Sequence, residues 1–142
     1  YSKSSLVEFE IGSGITSIDD YVFQHCSGLT SVSIPNSVSS FGRNLCYTCP
    51  NLTSVTISDS VTSISRSAFN RCTSLTSVVI PNSVTSIEIY AFYLCSSLTS
   101  ITYNGTSKEF SAISKGTSWK NDVPTTCVVH CTDGDFPITQ FD

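Results

Sequence analysis

Apolar residues return to the same places every 23 positions, and most of what lies between them is small and polar. Cysteines stand at Cys26, Cys49, Cys72 and Cys95, and three places later come Leu29, Leu52, Leu75 and Leu98, with Leu6 one period earlier. Next come Val32, Val55, Val78 and Ile101, with Phe9 before them, and then Ile34, Ile57, Ile80 and Tyr103, with Ile11 before them. Upstream of each cysteine lie Ile15, Val38, Val61, Val84 and then Ile18, Phe41, Ile64, Ile87. Self-similarity at a fixed period marks a repeat architecture, in which no unit buries its apolar side alone and stacked units share one core.

Within a unit the period changes. "LTSVTI", residues 52–57, spaces apolar side chains two apart, as in a half-buried strand. Pro35 and Pro81 end that strand, because proline has no N–H for a ladder. A second short extended piece, such as residues 84–87, leads into "AFYLC", where Ala91, Phe92 and Cys95 fall at helical spacing and predict one or two helical turns. One unit carries Leu45-Cys46 where others carry Ala68-Phe69 or Ala91-Phe92, an exchange of large and small that keeps volume, as a close-packed core requires.

The pattern "VTSIxxxAFxxCxxLTSVxIP" over residues 6–103 resembles the 23-residue leucine-rich repeats of the BspA-like family of bacterial and some protist surface proteins. The buried asparagine ladder of the commoner leucine-rich pattern is absent. The resemblance implies an α/β leucine-rich-repeat solenoid. Its right-handed superhelix would carry one parallel sheet on the concave side and short strands and helical turns on the other. Residues 1–103 are expected to form about five rungs, the first partial, and residues 104–142 a small C-terminal cap. In that cap Thr106 to Glu109 fits a capping box opening a helix to about Ile113. Val129 and Cys131 alternate as a strand, and Trp119, the one tryptophan, is expected to seal the core end. No cap is visible at the other end, and the chain contains no Met, so a piece of a longer protein is expected.

Composition narrows the partner. Ser and Thr make up 45 of 142 residues, yet only 5 prolines and the strict apolar spacing argue against a disordered stalk. A formal charge of −4 with only 7 Lys and Arg disfavours nucleic acid and anionic membrane. No stretch approaches the ~20 apolar residues of a membrane span.

Seven cysteines raise disulfide and metal readings. Stacked strands lie ~4.8 Å apart, whereas a disulfide holds Cβ atoms at ~3.8 Å, so the repeating cysteines are expected as a reduced core ladder. Cys46 and Cys49 form a CxxC with no βαβ unit around it, so a structural role is expected there too. Zinc shared between that pair and Cys127 and Cys131 is excluded, since the two pairs lie at least ~10 Å apart along the stack. Cys127 and Cys131 are expected as thiols. His25 and His130 are expected in solvent, no Ser carries a nucleophile elbow, and Asp133-Gly134-Asp135 is too short for a calcium loop. Asn51 and Asn104 open glycosylation sequons that matter only in a eukaryotic secretory host. No enzyme, metal or cofactor is expected.

Two surfaces remain. The concave columns are Ser31, Ser54, Ser77, Ser100 and Ser33, Thr56, Val79, Thr102, with Glu8 and Glu10 ahead of them and a third column of Val7, Thr30, Thr53, Thr76 and Thr99. They are small and hydroxylic and lack the Trp, Tyr and Arg that dominate binding hot spots. Those types gather on the turn side, where Tyr47, Arg66, Arg71, Tyr90 and Tyr93 are the candidate anchors. The first functional reading is a secreted or cell-surface recognition module, adhesin-like by the resemblance, with a host surface or matrix protein as partner and a monomer as its state. The second is a display spacer without a ligand. The third, a carbohydrate-binding face, is disfavoured because the hydroxyl columns carry no aromatic platform.

Overall fold

The computed structural model describes residues 8–141. The expectations for Leu6 and Val7, and for the side chains of Glu8, Phe9 and Glu10, lie outside the described residues. In chain order the strands are β1 (Glu8–Glu10), β2 (Ser17–Ile18), β3 (Ser31–Ile34), β4 (Ser40–Phe41), β5 (Ser54–Ile57), β6 (Ser63–Ile64), β7 (Ser77–Ile80), β8 (Ser86–Ile87) and β9 (Ser100–Tyr103). Then come helix α1 (Ser107–Ala112), β10 (Ser114–Lys115), β11 (Val128–Cys131), β12 (Gly134–Pro137) and a 3-10 turn, Ile138–Phe141.

The chain is a parallel-sheet solenoid. β1, β3, β5, β7, β9 and β11 pair in parallel, and β12 lies antiparallel outside β11, completing a seven-stranded sheet. The two-residue strands build the opposite face, β2 with β4 and β6 with β8 and β10. Ser31, Ser54, Ser77 and Ser100 stand in direct register, so a 23-residue step in sequence is one step along the stack. Inward side chains of both faces fill one continuous core, in which Leu29, Leu52, Leu75 and Leu98 and the thiols of Cys26, Cys49, Cys72 and Cys95 are wholly buried.

The segment before each cysteine is a turn, not the expected helix. Five residues and one residue before the cysteine, the backbone enters the left-handed region, at Tyr21 and His25, Asn44 and Thr48, Ser67 and Arg71, Tyr90 and Leu94. Each excursion breaks helical geometry and swings alternate N–H groups along the stack. Asn44, Cys46 and Thr48 thus donate to the carbonyls of Arg66, Ala68 and Asn70 at 3.0, 2.7 and 2.8 Å. A helix would have closed these bonds within the segment. Here a buried backbone finds its partners in the next rung, and the apolar spacing alone cannot distinguish the two.

Ile15 is a second correction: expected inside, it is exposed at 41%, and Ile18 is half-buried. The later members of these columns, Val38, Val61 and Val84 with Phe41, Ile64 and Ile87, are buried with coils on both sides.

The Leu45-Cys46 exchange draws in a third position. Cys46 vacates the ring volume that Phe69 and Phe92 occupy in later coils, where they stack at 5.5 Å. Phe41 stands where the other coils carry isoleucine, and its centroid lies 6.2 Å from Phe69. Phe41, Leu45 and Cys46 are all buried, so the volume lost at one column returns at two neighbours.

All seven cysteines are thiols. Beyond filling space they act as donors: Cys49, Cys72 and Cys95 Sγ–H point to the carbonyls of Phe23, Cys46 and Phe69 in the preceding coil, at 3.0 to 3.1 Å. Burial pushes Cys46 and Cys72 well above the ordinary thiol range, Cys95 up to about 12 and Cys127 up to about 11. Cys49 runs the other way, lowered by a hydrogen bond from the Cys46 thiol.

After β9 the chain makes a longer coil. Val128 pairs with Ser100 and Ser114 with Ser86, each 28 residues on rather than 23, with α1 taking up the excess. Thr106 caps α1, its side chain accepting from the Glu109 N–H while the Glu109 carboxylate accepts from the Thr106 N–H. Thr117, Trp119 and Asn121 carbonyls accept from Tyr90, Phe92 and Leu94, which sets the buried Trp119 ring edge-on to Phe92 at 6.4 Å. A Cβ on Gly116 would stand 2.4 Å from the Ile89 nitrogen, so this close approach needs glycine. Val129 is buried and Cys131 half-buried on β11, and the Ser107 N–H and hydroxyl hold Asp133, which lowers its carboxyl from the ordinary value.

Two outcomes are expected. Cys46→Phe alone overpacks the second coil and costs about 2 kcal/mol. Adding Phe41→Ile and Leu45→Ala recovers most of that loss, and urea unfolding of the single, double and triple variants measures the coupling. The second concerns alkali. Thiols raised in the folded state hold protons that the unfolded chain gives up near the ordinary value of 9.0, so their stabilisation is complete below that pH. It drains away as pH climbs towards about 12. The urea midpoint should hold steady through neutral pH and fall from about pH 9 upwards, less steeply in Cys95→Val.

Candidate functional site

The sheet's outward face is plain. Ser31, Ser54, Ser77 and Ser100 are half-buried in one column, and Ser33, Thr56, Val79 and Thr102 form the next. In the third column Thr53, Thr76 and Thr99 donate their hydroxyls to the carbonyls of Thr30, Thr53 and Thr76, at 3.0 to 3.4 Å. Those hydroxyls serve the stack. At the far end of this face His130, in register with Thr102, meets Asp135 with Nδ1 and Oδ1 2.8 Å apart. Sequence reading put His130 in solvent and did not find its partner, because the β11–β12 hairpin that pairs them has no counterpart in the repeats.

The turn side is different. Tyr47, Tyr90 and Tyr93 are half-buried, and Arg66 and Arg71 are exposed. Tyr90 and Tyr93 meet edge to face at 5.3 Å, and Tyr47 meets His25 of the preceding coil at 5.7 Å. Each tyrosine is thus held by a second ring, not left to sweep through solvent. The Arg66 and Arg71 guanidiniums have no ion-pair partner among the described residues. Arg43, one coil earlier, is engaged: its Nε lies 3.4 Å from Asp20 Oδ2 and its guanidinium 5.6 Å from the Tyr21 ring centre.

The left-handed positions run through this ridge. Only glycine, and to a lesser degree Asn and Asp, adopts that conformation readily, and other residues cost about 1–2 kcal/mol. Yet the positions carry Tyr21, His25, Thr48, Ser67, Arg71, Tyr90 and Leu94, with Asn44 alone of the favoured type before the last coil. The backbone does not select these side chains. His25 and Asn70 join the ridge although the sequence reading chose neither as an anchor; the change from Tyr to Asn and back along Tyr47, Asn70 and Tyr93 was the available signal.

Other features offer less chemistry. An apolar recess of about 360 Å³ lies at the first coil, lined by Ile11, Ile15, Ile18, Val22 and Phe23 with Ser17 and Asp19. Among the described residues no group of three His, Cys, Asp or Glu is placed to hold a metal ion, and no helix is long and apolar enough to cross a membrane.

Residues 1–114 match six copies of the BspA type Leucine rich repeat region. A comparison with curated proteins finds no match. Among solved structures, the chain is similar to a leucine rich cell surface protein of Faecalibacterium prausnitzii. The two are 32% identical over 75% of this chain and 34% of that one, with a TM-score of 0.58. A leucine-rich repeat protein of Eubacterium ventriosum (23% identity, 92% of this chain, 41% of that one, TM-score 0.69) shares the fold. So does the T. pallidum Leucine Rich Repeat protein (24%, 83%, 54%, TM-score 0.69). The chain therefore spans about a third to a half of the length of these structures. With the 23-residue register and the matched repeats both in place, the chain belongs to the BspA type leucine-rich repeat family.

Proposed function

We propose that this chain is a protein-recognition module displayed outside the cell, reading its partner with the turn-side ridge of Tyr47, Arg66, Arg71, Tyr90 and Tyr93. Membership of the family makes it an interaction or structural module. One observation carries the finer reading: residues the backbone disfavours are kept along the ridge, Arg71 at φ 64 and Tyr90 at φ 60 among them. The fold imposes this backbone in every coil but not these side chains, and large residues kept where glycine or asparagine would relieve the strain support a site selected for contact. The partner is a host surface or matrix protein. Display outside the cell draws on the Faecalibacterium cell surface protein, which is 32% identical to this chain over 34% of its own length. Residues 104–142 are the cap of the stack: the long coil covers the last repeat with Trp119, and β12 adds an antiparallel strand whose Pro137 and Asp135 discourage further pairing.

A display spacer is the second reading, favoured by the Thr hydroxyls that tie each coil to the one before it. Immobilised matrix proteins and a glycan array separate the readings. The expected result is capture by a matrix protein that disappears when all five ridge residues become alanine. Silence on both surfaces would leave the spacer, and glycan binding alone would move the site to the sheet face. A companion measurement links strain to function. Arg71→Asn is expected to raise stability by about 0.5 kcal/mol, since Asn accepts the left-handed backbone, and to weaken that capture.

A further inference from the structure

We infer that the coil of residues 66–71 is the seat of the ridge and takes an acidic segment of a partner protein laid across it. The inference rests on the ridge reading above and adds the partner's chemistry. Tyr47, Asn70 and Tyr93 hold the same place on successive coils, tied by the Thr48 N–H to the Asn70 carbonyl and the Arg71 N–H to the Tyr93 carbonyl, both at 2.8 Å. Two coil steps of ~4.8 Å set the two tyrosines about 10 Å apart, with the shorter asparagine between them. Each tyrosine is braced by a second ring, Tyr47 by His25 of the coil before it and Tyr93 by Tyr90 of its own coil. The arrangement is a low coil between two aromatic pairs.

The floor and rim of that saddle ask for different things. The floor is Ser67, 6% exposed, and Asn70, 8% exposed. Asn70 Nδ2 donates to Ser67 Oγ at 3.4 Å, while its Oδ1 is buried without a hydrogen-bond partner. Buried polar atoms are nearly always paired, and an orphaned amide oxygen calls for an N–H or O–H donor. The rim calls for acceptors. Among the described residues Arg66 and Arg71 have no ion-pair partner, and the nearby Glu88 carboxylate is occupied by the Arg66 backbone N–H at 2.9 Å and the Ser63 hydroxyl at 3.3 Å.

A polypeptide bearing Asp or Glu meets both needs. Its carboxylates pair with the guanidiniums in charge-assisted bonds, its aliphatic stems pack against Tyr47 and Tyr93, and an amide N–H supplies the donor to Asn70 once that side chain turns outward. A neutral sugar would leave the two guanidiniums unpaired, and a basic segment would be repelled.

The test pans a random-peptide phage library against the intact chain and measures selected synthetic peptides on variants. Expected is a pool enriched in Asp and Glu, whose affinity falls about tenfold in Arg66→Gln/Arg71→Gln and weakens as salt rises. A loss of affinity is also expected in Asn70→Leu, once its thermal melt shows it folded. Peptides without acidic enrichment, or acidic peptides that bind the double arginine variant unchanged, would overturn the acidic assignment. If those same peptides are lost in Tyr47→Ala/Tyr93→Ala, the ridge stands and only the chemistry falls. Peptides indifferent to both sets of changes, or no binders above background, would overturn the ridge with it.

Discussion

The fold depends on where its backbone hydrogen bonds go. A single coil of this chain closes short turns on itself, as from Asn70 N–H to Ser67 and from Cys72 N–H to Phe69. Its strands, however, have no ladder partner within the coil, and its left-handed residues turn the N–H groups between those turn bonds away from it. Both are satisfied by the coil before or after, through the parallel ladders on two faces and through alternate N–H groups of the turn segments. The thiols, and the threonines of the outward column, bond the other way to the turn N–H groups, each side chain donating to the coil before it. The burial of leucines stabilises the stack, and the hydrogen bonds decide its orientation and spacing.

That division explains what the sequence disclosed. Strand period, the proline stops and the inward columns are consequences of burial, and burial writes itself into residue type. The turn segments are consequences of backbone torsion at residues such as Thr48, Arg71 and Leu94, whose identities carry no preference for it. Spacing Ala91, Phe92 and Cys95 as a helix would was therefore misleading, since a turn with the same residues facing inward has the same spacing. Phe41 shows a different limit: it looked like one more apolar member of its column, and only its approach to Phe69 shows that it completes the exchange at Leu45 and Cys46. Ile15 is exposed because the first described coil has a described neighbour on one side only, whereas periodicity describes a coil packed on both.

The candidate site was half legible. Tyrosines and arginines concentrated in variable columns of an otherwise uniform repeat pointed to the turn side. Their arrangement needed coordinates, since the pairing of Tyr90 with Tyr93 lies within one coil and that of Tyr47 with His25 between two. Asn70 was invisible as a candidate because an asparagine in a surface turn is ordinary, and its burial between two tyrosines is not. The sheet face and the ridge thus divide the labour. One is spent on holding coils together, and the other varies while the scaffold stays constant.

The exchange at Phe41, Leu45 and Cys46 bears on how the chain finds its correct threading. Coils so alike could slide past one another by a whole period during folding, with every leucine again meeting a leucine. A second coil with its own arrangement of large and small residues fits badly in any other slot, so a misthreaded chain meets a cavity on one side and a clash on the other. An irregularity that looks like wear in a repeating pattern works as its address.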